Sequence, residues 1–449
     1  MIATQHNSFS IEYNTRLSGF FGSKPTYLIS AGGKIKTIQQ ACPKCGSAEY
    51  VDNGYHVVED SLVLALGLGI RIAQFCCKKC GCLWSSNRDI IDHFVQKEKE
   101  LVKSLMLGCV RSGLSLGRAT SLIGGTTGVN YSPQYLHEMY TDTLSQVKNE
   151  RAASASGVYY YDEQYLVCNG EKVCRLTIKD AVTGKVLTDT QTEDAKKETI
   201  SRVMRDGLEG LPVDAFIVDM LPVYPGIITE LYPKAKMQWC IFHLHKSIWK
   251  KLQEEFGKHA PLLQIYNVYN LFDIFFDHTP EIEKLQELLK TLNANKTGDS
   301  KSDRELEKTM RKEFGKFVKD LKKQRRRQHQ LTPRRTLEQS TERFSQIKHQ
   351  ILLYPKSLQA RIRYMDENWE KFTLFQHDSR VQPTSNGIEQ YFAATLAKTD
   401  KKDFRSKEAV SRELAACQAE WNGNQIFSTT KLVEVLRLAG MLFLAFPQT

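Results

Sequence analysis

Three carboxylates and four thiols have the types and spacing to hold metal ions. Asp162 follows Tyr159-Tyr160-Tyr161 inside a strand-like run, and Asp219 closes the short apolar strand Ala215-Phe216-Ile217-Val218. The ends of two such strands can face one sheet edge. A carboxylate there stays ionised only when a cation or several donors compensate it, and a pair offering only oxygen suits Mg²⁺. A third acid is needed, and Glu389 supplies it from the first turns of the helix that opens after Pro383-Thr384-Ser385-Asn386-Gly387. Any one of these acids by itself has an ordinary structural explanation; the three in this order do not share one.

The thiols form a separate cluster. Cys42, Cys45, Cys76, Cys77, Cys80 and Cys82 fall within one short stretch, and the other five of the eleven cysteines are scattered. Cys42-Pro-Lys-Cys45-Gly and Cys77-Lys-Lys-Cys80-Gly are two knuckles in which a tight turn lets two thiolates grip one ion. They predict one structural Zn²⁺ in a zinc ribbon, with a redox pair or chance clustering as the alternative and Cys76 and Cys82 as alternatives in register. A third motif, Cys240-Ile-Phe-His243-Leu-His245, follows the strand Lys236–Cys240.

The elements that must position these residues follow from periodicity. Apolar Phe94, Leu101, Leu105 and Val110 recur at helical steps, a second helix is expected from Ser115 to Ile123, and Gly124, Gly125 and Gly128 are expected to break the run. Ser132 then suits an N-cap and Pro133 a first helical turn. This layout fits a helix-turn-helix DNA reader, with a plain helical packing domain as the alternative. Arg151 to Gly157 reads as a linker. Val158–Cys168, Lys172–Ile178 and Lys185–Asp189 read as three strands joined at Asn169-Gly170 and Thr183-Gly184. Helix, strand, helix and strand then alternate to about residue 240, the pattern of an α/β domain with a mixed sheet.

Beyond residue 255 the chain is helical and rich in Lys, Glu, Leu and Gln, which predicts an all-α insertion. Within it, Leu321 to Arg335 carries Lys322, Lys323, Arg325, Arg326, Arg327, Arg334 and Arg335 and no acid. Such a one-sided run reads as a phosphate-contacting surface, with a solvated helix face as the alternative.

Composition agrees with a multidomain globular chain. The 449 residues carry 62 Lys plus Arg against 51 Asp plus Glu, a formal charge of +11 that favours an anionic partner. The longest apolar run, Ser61 to Ile70, is too short to span a bilayer, and Arg437 interrupts the C-terminal one. The N-terminal MIATQHNSFSIEYNTR lacks the apolar core of a signal peptide, so a reducing cytoplasm and unpaired cysteines are expected.

In this order the modules resemble the DDE transposases of bacterial and archaeal insertion sequences, whose catalytic domain is ribonuclease-H-like. Cys240 and His243 add to the likeness, being similar to the Cys-x-x-His pair of mutator-like and related transposases with a helical insertion. The resemblance implies a zinc ribbon over 1–91, a helix-turn-helix region and linker over 92–156, a catalytic core over 157–255 and 378–449, and an all-α insertion over 256–377. It further implies two Mg²⁺ (or Mn²⁺) ions on Asp162, Asp219 and Glu389, with Asp162 bridging, and hydrolysis at the element's end followed by strand transfer into target DNA. Cys240 and His243 are then expected to buttress the site or contact DNA. The implied partners are terminal inverted repeats, target DNA and further copies of the chain in a nucleoid-associated homodimer or larger synaptic complex, with no membrane. Glu163 and Asp378 are the acids that compete for the assignment, whereas Asp180 and Asp189 sit at turn positions that suit structural roles. The rival functions are a non-catalytic or domesticated DNA-binding protein and a nuclease on the same fold.

Overall fold

The computed structural model describes residues 27–29, 34–37, 41–57, 71–86, 89–127, 129–150, 152–396, 401 and 404–424. The apolar runs at 61–70 and around Arg437, the N-terminal sixteen residues, Gly128, Arg151 and the Phe94 side chain lie outside what is described. The chain divides into two compact units, Lys148–Gly423 and the remainder. Among the described residues no helix is long and apolar enough to cross a membrane.

In the first unit, strands β1 (Tyr27–Ile29), β2 (Lys34–Thr37), β3 (Tyr50–Val57), β4 (Arg71–Cys77) and β5 (Leu83–Ser85) form one sheet in the order β1-β2-β4-β3, with β5 also on β4. Ile72, Ala73 and Phe75 of β4 are fully buried. The Phe75 ring meets Tyr50 at 5.0 Å and Trp84 at 5.7 Å, a small aromatic core suited to a sheet this size. Helices α1 (Asp89–Arg111), α2 (Leu116–Thr127) and α3 (Pro133–Ser145) follow and pack on one another. Ser132 caps α3 as expected, its Oγ accepting from Tyr135 N at 3.1 Å. The expected break at Gly124 and Gly125 does not occur, because α2 runs through both to Thr127. Close packing explains one of them: a Cβ at Gly124 would lie 3.0 Å from Asn130 Oδ1.

In the second unit, β6 (Val158–Cys168), β7 (Glu171–Asp180), β8 (Val186–Thr192), β9 (Ala215–Val218) and β10 (Lys236–Trp239) make a mixed sheet ordered β10-β9-β6-β7-β8. The first three strands are antiparallel hairpin partners, whereas β9 runs parallel to β6 and β10 parallel to β9. Helix α4 (Lys197–Leu208) joins β8 to β9, α5 (Val223–Leu231) joins β9 to β10, and α6 (Ile241–Phe256) follows β10. Parallel neighbours need such crossovers, and the alternation of helix and strand in the sequence reflects them.

The helical stretch 256–377 divides its packing. Helices α7 (Leu262–Phe272), α8 (Thr279–Ala294) and α9 (Ser300–Arg327) supply a satellite core of Leu262, Leu285, Leu288, Leu292, Met310 and Phe314. Helices α10 (Leu337–His349), α11 (Lys356–Glu367) and α12 (Trp369–His377) instead send Phe344, Ile362, Met365 and Phe372 into the core that covers the sheet. Helices α13 (Asn386–Thr395) and α14 (Lys407–Trp421) complete that core with Ile388, Tyr391, Val410 and Leu414.

Candidate active site and metal-binding residues

Register brings the predicted acids together. Tyr160 pairs with Ile217 across the parallel β6/β9 ladder, so Asp162 and Asp219, each two residues further on, come level at the carboxyl edge of the sheet. Trp239 pairs with Val218, so Cys240 comes level with Asp219, and its N–H donates to Val218 O at 2.9 Å. Ligand sites of α/β sheets favour this edge, where the strands end and the crossovers diverge. Helix α13 brings Glu389 to the start of α6, where its Oε1 lies 3.9 Å from Nε2 of His243.

The charge at this edge is uncompensated. Burial pushes Asp162 up to about 7, with Glu163 and Asp219 adding to the shift, and burial also raises Asp219. Asp162 Oδ1 accepts from Glu163 N at 2.9 Å and Asp219 Oδ1 from Leu221 N at 2.9 Å. Among the described residues no lysine or arginine forms an ion pair with either acid. His243 is the nearby basic side chain: its protonated form favours both carboxylates, and the Cys240 sulfur and the two acids raise its own pKa. Two half-buried acids side by side, all oxygen and without a lysine or arginine partner, fit a divalent cation. Among the described residues it is the four thiols below, and not the three acids, whose ligand atoms all lie within 4.8 Å of one another.

The Cys240–His243 motif ties the Glu389 helix to the strand ends. Cys240 Sγ accepts from Ser385 N at 3.3 Å and from Ser385 Oγ at 3.4 Å, and Ile241 N donates to Pro383 O at 2.9 Å. Ser385 is the N-cap residue of α13. The neighbouring Cys240 sulfur is the main cause of the raised His243 pKa, although His243 Nδ1 is buried without a well-formed hydrogen bond. His245 stacks on Phe272 at 3.9 Å, and burial pushes its pKa down to about 3, so it serves the core as a neutral ring.

Three further contacts fix α13, none readable from spacing. Lys179 Nζ, lying over the Trp421 ring at 4.5 Å, donates to Gly387 O at 2.7 Å. A Cβ at Gly387 would stand 2.7 Å from the buried Tyr160 ring, so only glycine allows α13 this close to β6. Gly387→Ala should therefore push α13 away from β6 and lower stability by about 1–3 kcal/mol. Partial recovery in the Gly387→Ala/Tyr160→Leu double variant, measured by urea unfolding, checks that the close approach is the cause.

Deeper under the same helix, Arg175 and Asp189 form a wholly buried ion pair at 2.6 Å. Thr177 Oγ1 donates to Asp189 at 2.9 Å, Tyr391 OH donates to Asp189, and Arg175 Nη2 donates to Thr395 Oγ1 at 3.1 Å. Arg175 Cζ also lies over both the Tyr391 and Phe392 rings, 4.8 and 4.9 Å from their centroids. Asp189→Ala leaves this guanidinium buried without its counter-charge. A loss of about 3–5 kcal/mol is expected, read from the urea midpoint of unfolding at unchanged m-value.

The competing acids are otherwise engaged. Glu163 turns to the other face of β6 and accepts from Tyr161 OH at 3.1 Å and from Tyr224 OH. Asp378 pairs with Arg380 at 2.8 Å, and Arg380 also binds Asp214, which precedes β9 and so marks the opposite sheet edge. Asp180 accepts from Ser156, Val182 and Thr183 N–H groups in a turn.

The seven basic residues of the Lys322–Arg335 run separate. Arg325 pairs with the buried Glu281 at 3.1 Å, and Arg335 pairs with Asp273 at 2.6 Å and Asp277 at 3.2 Å. Those two are structural staples within the unit. Lys322, Lys323, Arg326, Arg327 and Arg334 are exposed.

In the first unit the sulfurs of Cys42, Cys45, Cys77 and Cys80 all lie within 4.8 Å of one another, with Cys42–Cys80 at 3.5 Å and Cys45–Cys77 at 3.6 Å. A tetrahedral zinc with Zn–S near 2.3 Å needs S–S edges of about 3.8 Å. The two knuckles are built alike: Gly46 N donates to Cys42 O and Gly81 N to Cys77 O, with φ of 70° at both glycines. Against burial, backbone N–H groups draw Cys42 down to about 6. Cys80, despite a favourable N–H from Cys82, is pushed up to about 12 by burial and the neighbouring sulfurs. Several thiolates crowded together in this way need a cation. Cys76 and Cys82, the register alternatives, are outside the quartet, their thiols turned to backbone carbonyls.

Residues 196–394 match the family model described as "Transposase IS66 family", a span that holds Asp219, Cys240, His243 and Glu389. The chain is also 22% identical over 389 residues to the "Insertion element ISM1 uncharacterized 48.3 kDa protein" of Methanobrevibacter smithii, covering 86% of this chain and 83% of that one. The middle of the chain is thus similar to the transposases of insertion sequences. A solved assembly, the simian T-cell lymphotropic virus intasome in complex with the PP2A regulatory subunit B56 gamma, matches over 31% of this chain and 57% of the matched chain. Its 9% identity and TM-score of 0.17 carry no argument about fold.

Proposed function

We propose that the protein is a transposase, a metal-dependent DNA strand-cleaving and strand-joining enzyme of the DDE type, with a ribonuclease-H-like core in which Asp162, Asp219 and Glu389 would hold two Mg²⁺ ions. The observation that carries the reading is the level placement of Asp162 and Asp219 at the sheet edge, with α13 bringing Glu389 to 3.9 Å from His243, which acts on both aspartates. When bound, such ions lower the pKa of an attacking water or 3′-hydroxyl and stabilise the leaving 3′-oxygen of an in-line displacement. The chain's own residues supply the geometry. Asp162 and Asp219 are fixed by strand register, and Glu389 is fixed by the contacts that Gly387, Tyr391 and Ser385 make under its helix. Cys240 and His243 hold that helix against the strand ends. Because the carboxylates need only orient the phosphate and its nucleophile, no serine or tyrosine nucleophile and no covalent protein–DNA intermediate is required.

In the same reading the first unit recognises DNA, its ribbon held by one Zn²⁺ and α1 to α3 serving as the helix-turn-helix reader of the terminal repeats. Two or more chains assemble on paired ends. The test is incubation of the protein and Mg²⁺ with duplexes from its own element's termini. Cleaved 3′-hydroxyl ends and joined products are expected. Cleavage without joining would make the protein a nuclease, and binding without either would make it a non-catalytic DNA-binding protein.

A further inference from the structure

Arg334 differs from the rest of the basic run, because its guanidinium is exposed while its backbone is pinned. Asp277 N donates to Pro333 O at 2.8 Å and Arg335 N to Phe275 O at 3.0 Å, making a short antiparallel bridge between Phe276 and Arg334. Neighbouring side chains on such a segment point to opposite sides. Arg335 turns inward to Asp273, and Arg334 turns outward, where Nη2 donates to Gln382 Oε1 at 2.8 Å.

That contact sets Arg334 at the rim of the carboxylate edge. Gln382 adjoins Pro383, whose carbonyl receives the N–H of Ile241 at the start of the His243 helix, and His243 lies 3.9 Å from Glu389. The Arg334 charge also reaches the phenol of Tyr160, the ring against which α13 packs at Gly387. The exposed Lys322, Lys323, Arg326 and Arg327 belong instead to the end of α9.

We propose that Arg334 is a substrate-contacting catalytic residue that grips a DNA backbone phosphate within one nucleotide of the cleaved bond, while the α9 residues bind flanking duplex by charge alone. The inference rests on the carboxylate edge being the cleavage centre. A guanidinium offers a planar fork matched to two phosphate oxygens, and the Gln382 bond orients that fork before DNA arrives. Donors held in place beforehand stabilise charge that develops in the transition state, whereas mobile surface cations contribute chiefly to salt-dependent affinity.

The experiment is single-turnover cleavage of terminal duplexes by the full-length protein at saturating concentration, each duplex carrying one neutral methylphosphonate at a successive position near the cut. Arg334→Gln is expected to slow cleavage about 10²–10³-fold, with Arg334→Lys intermediate. One methylphosphonate within a nucleotide of the cut should slow the wild type yet add no further loss to Arg334→Gln. The Lys323→Gln/Arg326→Gln pair should flatten the salt dependence of binding by about two phosphate contacts. Losses in Arg334→Gln that add to those of every methylphosphonate, or a wild-type saturated rate, would overturn the proposal. Glu389→Gln, run in parallel, separates the two levels: cleavage by that variant removes the centre itself, whereas an inactive Glu389→Gln beside a fully active Arg334→Gln removes only the role of Arg334.

Discussion

Asp162→Asn, Asp219→Asn and Glu389→Gln should each lower DNA cleavage by about 10³-fold or more, roughly 4 kcal/mol of transition-state stabilisation, with end binding close to wild type. Each substitution keeps the side chain's size and removes one negative charge. At Asp162 and Asp219 that charge is half-buried beside another acid without a lysine or arginine partner, so its retention has a cost that an amide would relieve. Protein stability should therefore hold or rise in Asp162→Asn while activity is lost, a divergence that a purely structural role for the carboxylate cannot produce. Binding should survive because the exposed cations of α9 are untouched. A matched set of melting temperature, end affinity and single-turnover rate for the three variants checks all of this together.

Removing zinc should unfold the ribbon. A structural zinc in a small domain contributes on the order of 10–16 kcal/mol near neutral pH, more than a core as small as the Tyr50, Phe75 and Trp84 cluster can replace. Cys77→Ser or Cys42→Ser, or chelation of the wild type, should release one equivalent of metal and abolish the near-ultraviolet circular dichroism of that aromatic cluster. Cys76→Ser and Cys82→Ser should leave metal content unchanged, because neither sulfur belongs to the quartet. The mixed sheet of the second unit has a core of its own and should keep its secondary structure. Full zinc retention in Cys77→Ser would remove the metal assignment.

Local signals in the sequence carried much of this architecture. Asn169-Gly170 between two runs of strand formers announces the β6/β7 hairpin, and the alternation after Ala195 announces the crossovers. The paired knuckles announce the thiol quartet because all of its ligands sit in two short turns. The three acids were legible as candidates, but their level placement depends on the β6/β9 register, which no single strand encodes. Contacts made across long stretches of chain were not legible. Ser385 meets Cys240, Gly387 meets Tyr160, and Tyr391 meets Asp189, each pair far apart in sequence. Arg175 left one readable hint, a charge inside the otherwise apolar run Val173 to Ile178. The basic run misled in one respect: its residues look equivalent as a string, yet Arg325 and Arg335 neutralise buried acids that lie about fifty residues upstream.

Manganese binding followed by electron paramagnetic resonance tests most directly whether three acids from distant parts of the chain form one metal centre. With terminal DNA present, the wild type should bind about two Mn²⁺ per chain at the carboxylate edge, and Asp162→Asn, Asp219→Asn and Glu389→Gln should each weaken that binding strongly. Unchanged Mn²⁺ binding in all three variants would contradict the shared centre.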